Sequence, residues 1–134
     1  MEEHFLKGLV TGVPEFRPEP WYNSHGDCII CQTANEAIVA QRVDELLTVY
    51  RSALDNRPIG FQIKGVHAII GKFGLEALTV ESEAAGGQIR TISITLLLLA
   101  AYEQGPLTAQ RRQAYADIMP PAEVEAEISE LLAG

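Results

Sequence analysis

Two cysteines, Cys28 and Cys31, form the sharpest chemical motif in the chain, a C-x-x-C pair. Such a pair can be a redox dithiol or half of a zinc site. Redox pairs open a helix, whose N-terminus stabilises the thiolate, whereas this pair follows a turn and lies in a β-type run. Residues three apart on a strand point to opposite faces, so the two sulfurs should diverge. We therefore predict two structural thiols, and a metal- or redox-responsive role for Cys28 and Cys31 stays an alternative.

A zinc site would need further ligands besides Cys28 and Cys31. A closed zinc site needs four ligands, usually in pairs. The histidines His4, His25 and His67 show no ligand spacing among themselves, and the sequence has no second C-x-x-C. We predict no metal and no cofactor.

The segment from Tyr22 to Asp27 contains the other candidate chemistry. His25 and Asp27 are close in sequence, and a His–Asp pair can orient a general base. The neighbouring Ser24 and Asn23 are common turn residues, however, and a turn explains the segment more simply. We predict no catalytic residue. A ligand pocket near Tyr22, His25 and Asp27 is the alternative, which would make the protein a small-molecule-binding or hydrolytic protein.

Composition and charge narrow the class of protein. The chain has 134 residues, enough for one domain with a real core, and a formal net charge of -8. Nucleic-acid binding depends on Lys and Arg neutralising phosphates, so we predict no nucleic-acid partner. The longest apolar run, residues 96 to 102, is far shorter than the ~20 residues that span a membrane. The acidic start is unlike a signal peptide, and two cysteines fit a reducing cytoplasm, where we place the protein.

The N-terminal half reads as short strands joined by tight turns. We expect an irregular lead-in over residues 1–20, with a short helix near residues 3–9. The predicted strands cover residues 21–22, 28–32, 38–43, 46–51 and 59–64, and a helix over residues 66–73 ends at Gly74. β runs come first and helices follow without regular β-α-β alternation, which is typical of an α+β fold with an antiparallel meander. We treat residues 1–134 as one domain, with residues 21–74 as meander plus helix.

Residues 75–134 are predicted to add a strand, a turn and a helical layer packed on the sheet. A strand over residues 78–82 and a segment over residues 88–90 should pair across a Gly86-Gly87 turn. A helix capped by Ser93 or Thr91 should run to about Gln104, a second should follow Thr108 and end at Pro120-Pro121, and a last helix should cover residues 121–132.

The helix expected over residues 92–103 is apolar nearly all round. A sheet one layer thick covers only one side of a helix, so the other side must meet further helices or a second copy. The C-terminal stripe Val124, Ile128, Leu131 and Leu132 is too narrow to cover all of it. We therefore predict a homo-oligomer, most simply a two-fold dimer.

Residues 21–66 resemble a bacterial family of small β-meander domains of unknown function. The family's opening is Tyr-Asp-x-x-x-Asp-x-aliphatic and its closing is Gly-Arg-aliphatic-Val-Gly-Ile-Glu-Ile. This chain has Tyr22-Asn23-Ser24-His25-Gly26-Asp27-Cys28-Ile29 and Asn56-Arg57-Pro58-Ile59-Gly60-Phe61-Gln62-Ile63. The resemblance implies a compact meander and a helix. It implies no activity, so it assigns no site residues. The function we expect is that of a non-enzymatic, self-associating regulatory or scaffolding module.

Overall fold

The computed structural model describes residues 16–17, 19–84, 87–120 and 124–128, with backbone alone for residues 80–84 and 87–89. Most of the predicted lead-in, including the helix near residues 3–9, lies outside the described residues. No helix of the described part is long and apolar enough to cross a membrane.

The N-terminal half forms one antiparallel sheet of five strands, as predicted. The strands are β1 (Trp21–Asn23), β2 (Cys28–Gln32), β3 (Ile38–Arg42), β4 (Leu47–Ser52) and β5 (Pro58–Lys64), in the order β1-β2-β5-β4-β3. β3, β4 and β5 form a meander. The β1–β2 hairpin then adds to the free side of β5, so β2 pairs with β5 and not with β3. This pairing leaves β1 and β3 at the edges.

The sheet buries apolar side chains on both faces. One face packs against the helices and the second sheet in a single core; its fully buried strand residues are Ile29, Leu47, Val49, Phe61 and Ile63. The other face carries a smaller cluster of buried residues, namely Cys28, Ile30, Tyr50 and Ile59. Alternation along β2 sends Ile29 and Cys31 into the main core, and Cys28 and Ile30 into the smaller cluster.

The described residues form four helices, which follow or interrupt the strands. They are α1 (Val66–Phe73), α2 (Leu75–Leu78), α3 (Ile94–Tyr102) and α4 (Ala109–Ile118). The Ser93 hydroxyl caps α3 by accepting a hydrogen bond from the Leu96 amide, and the Thr108 hydroxyl caps α4 in the same way at Arg111. The α1 and α4 helices confirm the sequence prediction. Of the two caps predicted for α3, Ser93 is confirmed and Thr91 is wrong, because residues 91–93 pair as a strand and the helix begins at Ile94 instead of Ile92.

A second sheet contains β6 (Thr79–Ala84), β7 (Gly87–Ser93) and β8 (Glu125–Glu127), in the order β6-β7-β8 and antiparallel throughout. The pairing of β6 with β7 was predicted. The helix predicted over residues 121–132 is wrong at residues 125–127, which form β8. Apolar residues at 124, 126 and 128 also fit the period of a strand, and pairing with β7 buries Ala126 and Ile128. Leu131 and Leu132 lie outside the described residues.

Arg111 of α4 ties the helices to the sheet. Its side chain is only 7% exposed, and its Nε donates a 2.9 Å hydrogen bond to Oδ2 of Asp44, in the β3–β4 turn. The same oxygen accepts a 2.9 Å bond from the Tyr115 hydroxyl, while Oδ1 accepts bonds from the amides of Leu46 and Leu47. Burial acts to raise the pKa of Asp44, but these hydrogen bonds outweigh burial and hold that pKa below its ordinary value.

We expect Asp44→Asn to lower the free energy of unfolding by about 3 kcal/mol, because Arg111 would stay buried without a counter-charge. Glu45→Gln, at the exposed neighbouring carboxylate, should change it by less than about 0.5 kcal/mol. Urea unfolding followed by circular dichroism measures both.

The loss of stability caused by Asp44→Asn should depend on pH. The folded pKa of Asp44 is lowered, so its stabilisation is present above the unfolded pKa of about 3.9 and is lost as pH falls through the folded pKa. The difference between wild type and Asp44→Asn should therefore shrink on acidification below about pH 4. A difference that is equally large at low pH, or equal effects of Asp44→Asn and Glu45→Gln, would contradict this account.

Candidate functional site

Three side chains meet where the β1–β2 hairpin contacts the start of α1. The Tyr22 hydroxyl donates a 2.7 Å hydrogen bond to Oδ1 of Asp27. Nδ1 of His67 lies 2.7 Å from the same oxygen. The Tyr22 and His67 rings meet edge-on, with centroids 6.5 Å apart. The Tyr22 ring is buried, whereas 58% of the His67 side chain is exposed. The Tyr22–Asp27–His67 cluster therefore lies at the surface, with His67 exposed to solvent and Tyr22 anchored in the core.

Main-chain geometry explains why Asp27 and His67 meet. Asp27 ends the β1–β2 turn with a positive φ of 49°, a conformation that Asp tolerates better than most residues. Gly65 precedes α1 with a φ of 71° and offers no side chain to cap the helix. Asp27 does this instead: its carboxylate accepts the His67 amide at 3.2 Å, and its main-chain oxygen accepts the Val66 amide, also at 3.2 Å. The hairpin therefore caps the helix from 40 residues away.

The arrangement can also do proton chemistry. When His67 is neutral and donates its Nδ1 hydrogen to Asp27, Nε2 is left as a proton acceptor. Asp27 fixes the orientation of the ring, as an acidic partner does for a general base. The same contacts give a purely structural account of the cluster, since they satisfy a helix end.

Of the residues considered from the sequence, Tyr22 and Asp27 do come together, but the histidine beside them is His67. The His25 main-chain amide donates to the Asn23 side chain at 3.0 Å, a local turn contact. His25 was considered because it is near Asp27 in sequence. His67 becomes a neighbour of Asp27 only because β5, which leads into α1, pairs with β2. No spacing in the sequence signals that contact.

Cys28 and Cys31 are free thiols in different clusters on opposite faces of the sheet. Their divergence is what the strand geometry predicted. Burial raises the pKa of both thiols, which favours the unreactive protonated form at neutral pH. Within the described residues, no group of three or more His, Cys, Asp or Glu side chains could hold a metal ion.

The outer side of α3 carries exposed leucines. Leu96 and Leu99 are 41% and 48% exposed, whereas Leu97 and Leu98 are fully buried. A groove of about 180 Å³ runs beside them between α3 and α4. Its walls are nearly all apolar and include Leu98, Leu99, Tyr102, Tyr115, Ala116 and Met119. We call Leu96, Leu99 and this groove the α3 patch.

Comparison with known proteins assigns no relative: no family model, no curated protein and no solved structure matches this chain.

The helix cap can be tested by replacing Asp27. We expect Asp27→Ala to lower the free energy of unfolding by about 1–2 kcal/mol. His25→Ala, in the same turn, should change it by less than about 0.5 kcal/mol. In hydrogen exchange, the His67 amide should lose protection. The Val66 amide bonds to the main-chain oxygen of residue 27 and should keep it. Equal protection of the His67 amide in both variants would argue against the capping role.

Proposed function

We propose that this protein is a non-enzymatic module that self-associates as a two-fold dimer and serves a regulatory or scaffolding interaction. The observation that supports this best is the α3 patch. A helix this apolar belongs in a core, yet two of its leucines are exposed on the side away from the sheet. Contiguous exposed apolar surface on a soluble domain is typical of an interaction site.

A second copy of the chain suits the α3 patch in shape and charge. Leu96 and Leu99 are one turn apart, and Glu103 continues the same stripe at the end of α3. Arg112 lies at the edge of the groove. A two-fold axis across the patch can bring Arg112 of one copy near Glu103 of the other, while the leucines pack at the centre. The proposed contact is therefore self-complementary, as an isologous interface requires.

We also propose a cytoplasmic setting in a bacterium. Unpaired cysteines fit a reducing compartment. The bacterial origin rests on the resemblance of residues 21–66 to the family of small β-meander domains.

The dimer predicts that Leu99→Glu yields monomers. A charge at the centre of the patch would have to be buried without a partner, which disfavours association. Light scattering at micromolar concentration should give the wild type a molar mass of twice 14.6 kDa. The Leu99→Glu variant should have the mass of one chain. Leu54→Glu is the matched control, because Leu54 is 81% exposed but lies in the β4–β5 loop. It should leave the dimer intact.

Far-ultraviolet circular dichroism establishes that both variants are folded. A wild-type protein of 14.6 kDa in solution, or dissociation by Leu54→Glu as readily as by Leu99→Glu, would contradict the proposal.

A second candidate function, ester hydrolysis, is favoured by the Tyr22–Asp27–His67 cluster. In this proposal Nε2 of His67 takes a proton from water as the water oxygen attacks the ester carbonyl carbon. Asp27 holds the ring and stabilises the imidazolium that forms. The same proton then passes to the departing alcohol oxygen, so that the products are a carboxylic acid and an alcohol and His67 is regenerated.

The test uses p-nitrophenyl acetate as substrate and compares two histidines. His67→Gln should lower the rate about 100-fold, the typical contribution of a positioned general base. His25→Gln should leave it unchanged, because His25 is exposed and its main-chain amide bonds to Asn23 within the turn. Asp27→Asn should slow the reaction and alter its pH profile. Equal rates in the His67→Gln and His25→Gln variants would rule out a special role for His67.

A further inference from the structure

Another concave site lies between the five-stranded sheet and the end of α4, where Met119 is the one described lining residue that it shares with the α3 patch. This cleft measures about 360 Å³. Its described walls are mainly apolar and come from the sheet, from α4 and from Val124; they include Cys31, Phe61, Ile118, Met119 and Val124. Prolines line its rim at Pro20, Pro58 and Pro120. Its size and lining are those of small-molecule sites in proteins.

The floor of the cleft is fixed by close main-chain packing between β2 and β5. Gly60 lines the cleft, and a Cβ placed on it would lie 2.3 Å from the carbonyl oxygen of Cys31. A residue with a side chain therefore does not fit at this position without moving β2 away from β5. Phe61, which is 2% exposed, and Cys31, which is 9% exposed, give the floor a rigid apolar surface. The space is therefore built into the sheet.

One charged group stands at the cleft among its described lining residues, the carboxylate of Asp117. Its Oδ1 accepts a 2.8 Å hydrogen bond from the Gln113 side chain. Its Oδ2 forms an ion pair with Arg51 at 3.6 Å, which is too long for a hydrogen bond, so this oxygen can still accept one. The whole chain also carries a net charge of -8. A ligand with a cationic end is therefore favoured over one with an anionic end.

We propose that this cleft binds a small molecule with an apolar body and an ammonium end. The apolar body lies over Cys31 and Phe61 and against Met119. The ammonium group donates a hydrogen bond to Asp117 at the mouth of the cleft. This site is independent of the proposed dimer, since its lining shares only Met119 with the α3 patch.

Two probes of the same ring system test the proposal: 2-(1-naphthyl)ethylamine and 1-naphthylacetate. Titration calorimetry on the wild type should show the amine binding at least about tenfold more tightly than the carboxylate. Asp117→Asn should reduce the ratio of the two affinities to within about threefold, because the variant lacks the negative charge of Asp117 at the mouth of the cleft. Glu76→Gln removes an exposed carboxylate of α2, away from the cleft, and should leave the ratio unchanged.

The two cysteines provide a second readout that locates the probe. Cys31 lines the cleft, whereas Cys28 belongs to the cluster on the opposite face of the sheet. At alkaline pH, where a fraction of each thiol is ionised, the amine should slow alkylation of Cys31 by iodoacetamide more than that of the less exposed Cys28, as measured by peptide mass spectrometry. Absence of binding, equal affinity for both probes, or equal protection of the two cysteines would overturn the proposal. Loss of the dimer in Leu99→Glu with Cys31 protection retained would separate this site from the proposed self-association.

Discussion

The ion pair between Arg111 and Asp44 is the contact on which the arrangement of the two halves depends. A buried guanidinium is tolerated only when its charge and its N–H groups find partners. Here Asp44 takes the charge, and the main-chain oxygens of Pro106 and Tyr102 accept further N–H groups at 2.6 and 2.9 Å. The Tyr102 and Tyr115 rings lie 4.9 and 5.2 Å from the guanidinium carbon. One cation thus joins the β3–β4 turn, the end of α3 and the body of α4.

This constraint decides which surfaces are available for function. With α4 held against the end of α3, the edge-on contact between Tyr102 and Tyr115 closes part of the outer side of α3. Leu96 and Leu99 are still exposed, and Leu99 lines the same groove as the two tyrosines. The same placement brings Ile118 and Met119 over the sheet and forms one wall of the cleft at Cys31. The α3 patch and the cleft are therefore two consequences of one docking geometry.

The Tyr22–Asp27–His67 cluster has a different physical cause. The N-terminus of α1 needs a capping side chain, and the residue that precedes the helix has none. Gly65 supplies the left-handed turn into α1 but no acceptor. The carboxylate of Asp27 accepts the His67 amide and also holds its ring. Capping of α1 thus brings Asp27 and His67 together at the surface, and a general base requires the same pairing of a carboxylate with a histidine.

The sequence by itself determined the features that depend on neighbouring residues. The caps at Ser93 and Thr108 and the divergence of Cys28 from Cys31 are properties of local backbone geometry, and the structure has them. The alternation predicted over residues 59–64 holds only from Phe61 onward, because the pairing of β4 with β5 skips Ile59 at a bulge and Ile59 packs on the opposite face from Phe61. Sequence alone failed at residues 125–127, where apolar spacing fitted a helix and a strand alike and pairing with β7 decided between them. It also could not join Asp27 to His67 or Asp44 to Arg111. Those pairs are 40 and 67 residues apart, and only the pairing of strands and the docking of α4 bring them within hydrogen-bond distance.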